Sequence, residues 1–211
     1  MTAQILVLAK TPVPGRVKTR LCPPCTPAQA ARIAAAALVD TVNAVSATPA
    51  AGRTLVVDGD LPAPPGWSRS VQRGDRLGER LAHAYADTAV PGRAALLIGM
   101  DTPQAGPRLL GRAVTALAGD DVDAVLGLAE DGGWWALGLR DPVHAEALRE
   151  VPMSTAETGA RTLAALAGRG LRVAALPVLT DVDTVAAARV VAALCSPGSR
   201  FTATVAAELA A

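Results

Sequence analysis

Lys10, Arg16, Lys18 and Arg20 all fall within the segment Lys10-Thr-Pro-Val-Pro-Gly-Arg-Val-Lys-Thr-Arg-Leu21, which contains no acidic residue. Several cations on one short stretch can engage several oxygens of a phosphate group together. Gly15 permits close backbone approach, and Thr19 adds a hydroxyl next to Lys18. The segment is not a Walker A loop, because Val17 rather than glycine precedes Lys18-Thr19. A basic run is also what an ordinary solvated loop looks like. Its place directly after an apolar, strand-like run favours phosphate.

The complementary chemistry is carboxylate. Asp101 follows the apolar run Ala95-Leu-Leu-Ile-Gly-Met and precedes Thr102-Pro103. A carboxylate there can hold Mg²⁺ or Mn²⁺, ions that typically take one or two protein carboxylates plus phosphate oxygens; it can equally cap the next turn. Asp181 and Asp183 sit in Leu179-Thr-Asp-Val-Asp-Thr184. If extended geometry persists they point to one side, and one of them could share the ion with Asp101. Asp183 is also a natural N-cap for the helix that follows. Glu130-Asp131-Gly132-Gly133-Trp134-Trp135 gathers two acids, two glycines and two of the chain's few aromatics. The glycines would let backbone lie close to a ligand, with a carboxylate for a hydroxyl and an indole for an apolar face. A tight turn between two strands is compatible with that reading.

Two further motifs are weaker. Arg73-Gly-Asp-Arg-Leu-Gly-Glu-Arg80 opens a helix, whose N-terminal amides attract phosphate. Cys22-Pro-Pro-Cys25 has redox spacing, but a thioredoxin-like pair would follow its strand more closely, and no second ligand pair for zinc is present.

These residues need a scaffold. Short β-rich apolar runs alternate with alanine-rich helical stretches, which predicts an α/β fold with a mostly parallel sheet covered by helices. Strands are expected near Ile5–Ala9, Thr54–Asp58, Ser68–Gln72, Ala95–Gly99, Asp123–Leu128, Trp134–Leu139 and Arg172–Pro177. Helices are expected over Pro27–Ala47, Leu77–Thr88, Pro107–Ala118, Thr158–Ala167 and Val185–Leu194. Thr26, Pro27 and Gln29 form a helix-start signature. In such sheets, ligands bind beyond the carboxyl ends of the strands, where the polar motifs above are placed. The expected organisation is one domain over 1–211, with a motif-bearing core at about 4–195 and a C-terminal tail at 196–211.

Composition narrows the partners. With 51% hydrophobic and 18% charged residues, 211 residues suffice for a continuous core. A net charge of +1 and 2% aromatic content argue against a nucleic-acid surface or a base-stacking platform. No apolar run approaches the ~20 residues of a spanning helix, so no membrane insertion is expected. The N-terminal residues do not read as a signal peptide, and three cysteines suit a reducing compartment. The expected location is the cytoplasm. The oligomeric state is not legible.

The order Ala9-Lys10-x-Pro12-x-Pro14-Gly15-x-Val17-Lys18-Thr19-Arg20-Leu21, Leu77-Gly78-Glu79-Arg80, Gly99-x-Asp101-x-Pro103, Asp131-Gly132-Gly133 and Asp181-Val182-Asp183-Thr184 resembles a bacterial family of GT-A-like glycosyltransferases. Some of its members are named as transferases associated with radical-SAM proteins. It is also similar to the guanylyltransferase that activates 2-phospholactate, whose first loop carries a comparable Lys-Ser-Arg-Leu. The resemblance implies a Rossmann-like nucleotide-diphospho-sugar transferase fold, a three-layer α/β/α arrangement with a mixed, mostly parallel sheet. It further implies that Lys10, Gly15, Arg16, Lys18, Thr19 and Arg20 hold nucleotide phosphates. Leu77 and Gly78 would lie near the base, Asp101 and Asp183 would hold Mg²⁺ or Mn²⁺, and Asp131, Gly132, Gly133 and Trp134 would face the acceptor. A tyrosine is more usual where Trp134 stands.

Two reactions follow as expectations. In the first, sugar passes from a nucleotide sugar to a small acceptor, with Asp101 on the metal and Asp131 or Glu130 as acceptor-side base. In the alternative, a nucleoside triphosphate is joined to a phosphorylated small molecule, with Lys18 and the arginines neutralising an in-line transition state. A non-catalytic nucleotide-binding protein is the third reading.

Overall fold

The computed structural model describes residues 3–210. In chain order the elements are β1 (Ala3–Lys10), α1 (Pro27–Ser46), β2 (Gly52–Asp58), β3 (Ser68–Val71), α2 (Leu77–Thr88), β4 (Ala94–Gly99), α3 (Pro107–Ala118), β5 (Ala124–Ala129) and β6 (Trp134–Leu139). They continue with α4 (Thr158–Ala167), β7 (Val173–Leu179), α5 (Val185–Leu194) and α6 (Arg200–Glu208). A 3₁₀ turn at Thr19–Leu21 and a longer 3₁₀ segment at Pro142–Glu150 complete the set.

The seven strands form one sheet in the order β3-β2-β1-β4-β6-β5-β7. β6 runs antiparallel to both its neighbours, and every other pairing is parallel. Chain direction across the sheet reverses between β1, whose sequence neighbours lie to one side, and β4 on the other. The carboxyl ends of those two strands form a topological switch point, the usual ligand position in such sheets. Antiparallel β6 brings its first residue, Trp134, to that same edge.

Alternation along the strands builds a core on each face of the sheet. Ile5 and Val7 pack with Ala34, Leu38, Leu110 and Leu117, beneath α1 and α3. Leu6 packs with Leu97, Leu126, Tyr85, Leu148 and Leu166, beneath α2, the Pro142–Glu150 segment and α4. The small side chains of Ala30, Ala31, Ala34 and Ala37 form much of the buried face of α1. The start of α1 follows the expected capping box: Gln29 N–H donates to Thr26 Oγ1 at 3.3 Å, and Thr26 N–H donates to Gln29 Oε1 at 2.8 Å.

A third cluster lies outside the sheet, where α5 and α6 pack on the far side of α1. It contains Leu21, Cys25, Ile33, Val182, Val191, Phe201 and Val205. The segment expected as a C-terminal tail is therefore mostly the helix α6, with Phe201 fully buried. Burial of a side chain that size contributes on the order of 2–3 kcal/mol. Asp40 of α1 caps α6, accepting from Ser199 Oγ at 2.7 Å and from Phe201 N–H at 2.7 Å. Glu208 at its end pairs with Arg32 at 2.6 Å. The short pattern, with only Phe201 and Val205 marking the buried face, left little periodic signal. Among the described residues no helix is long and apolar enough to cross a membrane.

Candidate functional site

The basic segment leaves β1 at Lys10 and is held down by the apolar residues interleaved with its charges. Val17 is buried in the core between the sheet and α1, and Leu21 in the third cluster. Between these anchors Lys18 takes the left-handed backbone conformation, φ 48° and ψ 40°, which is disfavoured for a residue with a side chain. Gly15, at φ 76°, stands at an exposed turn with nothing within 4 Å of where a Cβ would be.

Lys18 does not point into water. Its side chain is 8% exposed, and its Nζ lies 2.9 Å from Asp101 Oδ1 and 3.6 Å from Asp183 Oδ1. Arg20 pairs with the other oxygen of Asp183. Asp101 Oδ1 is buried, with the Lys18 ammonium as its ionic partner. The rest of the Asp101 side chain is part exposed. Asp183 comes to this place because Val182, fully buried, anchors the loop after β7 and donates its N–H to Asp101 O at 2.9 Å.

Two adjoining clefts open at this edge. The first, of about 240 Å³, is lined by Lys10, Arg16, Lys18, Thr19, Arg20, Asp101 and Asp183, with Met100 and Ala34 behind them. The second, of about 130 Å³, is lined by Asp101, Thr102, Asp131, Gly133, Trp134, Trp135 and Asp181. Asp101 borders both. The first is rich in cations; the second holds three carboxylates and no Lys or Arg. Expected phosphate and metal residues are thus brought together, with the exception of Gly15, and most acceptor residues occupy a separate neighbouring space.

Some of the expected residues lie outside these two clefts or apart from one another. Asp181 and Asp183 do not line the same cleft, because the chain bends at Val182 and Asp183 N–H closes a tight turn onto Asp181 O at 3.0 Å. Leu77 and Gly78 line neither cleft. A Cβ on Gly78 would lie 2.3 Å from Leu148 O, so this glycine serves close packing of α2 on the Pro142–Glu150 segment. Nor are the amides before α2 free for phosphate: Glu79 Oε2 accepts from Asp75 N–H at 2.9 Å and from Arg76 N–H at 3.3 Å. These bonds hold the Glu79 carboxyl below the usual range. Gly132, at φ 88°, is approached by the chain itself, since a Cβ would lie 2.0 Å from Ala156 O. It shapes the turn and does not line the cleft. Glu130 is turned away onto Thr180, whose hydroxyl donates to it at 2.6 Å.

Asp131 remains at the mouth of the second cleft and accepts Gly133 N–H on Oδ1 at 2.8 Å. Two of its neighbours, Asp181 and Trp135, lie outside the set expected to face the acceptor. Asp181 faces it with its carboxyl raised above the usual range, first by burial and then by the charges of Asp131 and Asp183, with Lys18 opposing. Trp135 reaches the cleft through a β-bulge: Gly127 pairs with Ala136 and Leu128 with Trp134, leaving Trp135 as the extra residue. Bulges commonly re-aim side chains beside sites. The Trp135 indole packs over Gly127 and donates to Pro177 O at 3.0 Å, while Trp134 donates to Thr162 Oγ1 at 3.2 Å. Four consecutive glycine and tryptophan positions, Gly132 to Trp135, were the sequence signal for this corner.

Residues 30–155, more than half of the chain, match the model of the DUF2064 family, described as "Uncharacterized protein conserved in bacteria". The chain belongs to this family. A comparison with curated proteins gives no match. Among solved structures it is similar to a protein of Desulfovibrio desulfuricans provisionally assigned as a nucleotide-diphospho-sugar transferase. That match has a TM-score of 0.88 and 26% identity, covering 100% of this chain and 96% of that one. It is also similar in fold to a CMP-2-keto-3-deoxy-manno-octonic acid synthetase in complex with CTP (TM-score 0.58, 14% identity, 92% and 98% of the two chains). Rv0371c of Mycobacterium tuberculosis, in complex with manganese, gives a TM-score of 0.53 at 21% identity over 90% and 97%. The DUF2064 chain therefore has the Rossmann-like fold of nucleotide-diphospho-sugar transferases.

Proposed function

We propose that this DUF2064 protein is a metal-dependent transferase that uses a nucleotide-activated donor, and that its reaction is glycosyl transfer from a nucleotide sugar to a small hydroxylated acceptor. The observation that carries the reading is the pair of clefts sharing Asp101, one cationic and one anionic. Lys10, Arg16, Lys18 and Arg20 supply the charge that a diphosphate requires. Asp101, Asp131 and Asp181, with the Trp134 ring beside them, suit an uncharged polyhydroxy acceptor. They disfavour the phosphorylated acceptor that nucleotidyl transfer needs, because like charges at contact distance repel.

The donor set fits a divalent ion. Asp101 has a buried oxygen that, apart from its ion pair with Lys18, no group holds, Asp183 stands across from it, and Mg²⁺ or Mn²⁺ commonly takes one or two carboxylates beside phosphate oxygens. Such an ion, when bound, would neutralise charge growing on the leaving diphosphate. The protein's own groups do the rest. The basic segment grips the donor phosphates. Trp134 and Gly133 border the acceptor, and Asp131 takes the acceptor hydroxyl proton as that oxygen bonds to the anomeric carbon. The anomeric carbon–oxygen bond breaks, and its electron pair leaves with the nucleoside diphosphate.

Incubation with Mg²⁺ or Mn²⁺ and panels of nucleotide sugars, nucleoside triphosphates and acceptors, followed by mass spectrometry, tests the reading. Release of nucleoside diphosphate with a new glycoside is the expected result. Pyrophosphate release that depends on a phosphorylated acceptor would replace it with nucleotidyl transfer. Binding without turnover across the panels would leave a nucleotide-binding protein.

A further inference from the structure

Lys18 stands where two negative charges meet, and it occupies the oxygens that a metal ion would need. Its ammonium is 2.9 Å from Asp101 Oδ1 and 3.6 Å from Asp183 Oδ1. Arg20 holds the remaining oxygen of Asp183. Of the four carboxylate oxygens in the pair, three thus face protein cations. The ammonium is also shielded, its side chain being 8% exposed, and interactions between charges strengthen as water is excluded.

The backbone fixes this contact. Lys18 is one of two non-glycine residues with positive φ among the described residues. It is set between the buried Val17 and Leu21. Disfavoured conformations of this kind persist only where the surroundings over-determine them, and they gather at functional sites. The same side chain lines the cleft with Lys10, Arg16 and Thr19, so phosphate oxygens arriving there would offer its ammonium a second set of anionic partners.

We propose that Lys18 is an internal counter-ion that keeps the Asp101–Asp183 pair closed to divalent metal until a phosphate-bearing ligand draws its ammonium away. This rests on the assignment of Asp101 and Asp183 as metal carboxylates under Proposed function. The charges explain the order. With Lys18 in place, a divalent ion would bring the local balance of ion, ammonium and two carboxylates to a net positive charge. Once the ammonium has moved to phosphate, Asp101 and the Oδ1 of Asp183 face the ion without it, Arg20 staying on the other Asp183 oxygen. Metal and phosphate then favour one another's binding, and by linkage each raises the other's affinity by the same factor.

The test measures Mn²⁺ binding directly, by electron paramagnetic resonance and calorimetry, without any donor or acceptor present. Lys18→Gly removes the ammonium and suits the left-handed backbone, and Lys18→Met removes the charge at similar bulk; thermal denaturation checks that each is folded. Both variants are expected to bind Mn²⁺ on the order of tenfold more tightly than the wild type, the usual scale of coupling between sites. With free Mn²⁺ held fixed, inorganic phosphate is expected to tighten Mn²⁺ binding to the wild type and to leave Lys18→Gly nearly unchanged. Unchanged or weaker Mn²⁺ binding in both variants would overturn the counter-ion role. Adding Asp101→Asn to Lys18→Gly separates the two claims: the gained affinity should vanish. If it survives, the carboxylate pair is not the metal site, and the metal assignment falls together with the lock.

Discussion

The two clefts that meet at Asp101 are built in opposite ways. The cationic one is made by a single stretch of chain, with Lys10, Arg16, Lys18, Thr19 and Arg20 all leaving one strand end and Asp101 and Asp183 facing them. The anionic one is assembled from three strand ends: β4 supplies Asp101 and Thr102, the β5–β6 turn supplies Asp131, Gly133 and Trp134, and the loop after β7 supplies Asp181. A phosphate-binding loop can be local because one flexible segment can wrap one tetrahedral group. A pocket for a neutral acceptor must be bounded on several sides, which needs separate elements brought together by the sheet. Asp101 is the residue that borders both clefts.

The comparison predicts distinct signatures when each side is altered. Asp101→Ala should have the largest effect, since it removes a wall from both clefts. Metal-dependent nucleotide binding should be lost in calorimetry, and turnover should fall by at least about 10³-fold, the scale of losing a main electrostatic stabiliser. Unchanged metal-dependent binding would remove Asp101 from the shared position. Asp131→Asn touches the anionic cleft alone. It should lower kcat by roughly 10²–10⁴-fold, the contribution of a general base, while nucleotide affinity stays at the wild-type value; a matching loss of affinity would mean that the clefts are not separate.

Smaller effects fall on the supports. Gly132→Ala introduces a Cβ 2.0 Å from Ala156 O at φ 88°, and should destabilise the protein by about 2–4 kcal/mol through steric and backbone strain. Chemical denaturation would show it, and a neutral result would return Gly132 to a ligand-facing role. The least effect comes from acid. Glu79, with its carboxyl held low chiefly by the Asp75 and Arg76 amides, favours the native state above its unfolded-state pKa. That contribution is lost as pH falls through the lower native value. Thermal denaturation between neutral and acidic pH should show a shallower decline for Glu79→Gln than for the wild type, with no change in nucleotide affinity.

Legibility differed between the same two regions. The basic segment announces itself because its residues are contiguous and lack any acid. Its anchors, Val17 and Leu21, are shown by their burial in two separate clusters. Asp101 was legible as a polar residue ending an apolar strand. Asp181 was harder, since whether it shares a face with Asp183 depends on the bend at Val182, which is imposed by burial of that side chain in a cluster completed by Phe201. Gly78 and Gly132 both signal close backbone approach, and the tertiary structure shows that the approaching groups include Leu148 and Ala156.

The sequence alone determined the order of the seven strands and of α1 to α5, because strand and helix periodicities and the Thr26–Gln29 cap are local properties of the chain. It also determined that a concentrated positive charge follows the first strand. The tertiary structure decided what that charge faces. Sheet order places β4 beside β1, antiparallel β6 carries Trp134 to the same edge, and α5 and α6 hold the Asp183 loop against the basic segment. These are pairings between residues far apart in the chain, fixed by packing that no local pattern encodes. They turn a run of separate motifs into two clefts joined at Asp101, with Lys18 set between its carboxylates.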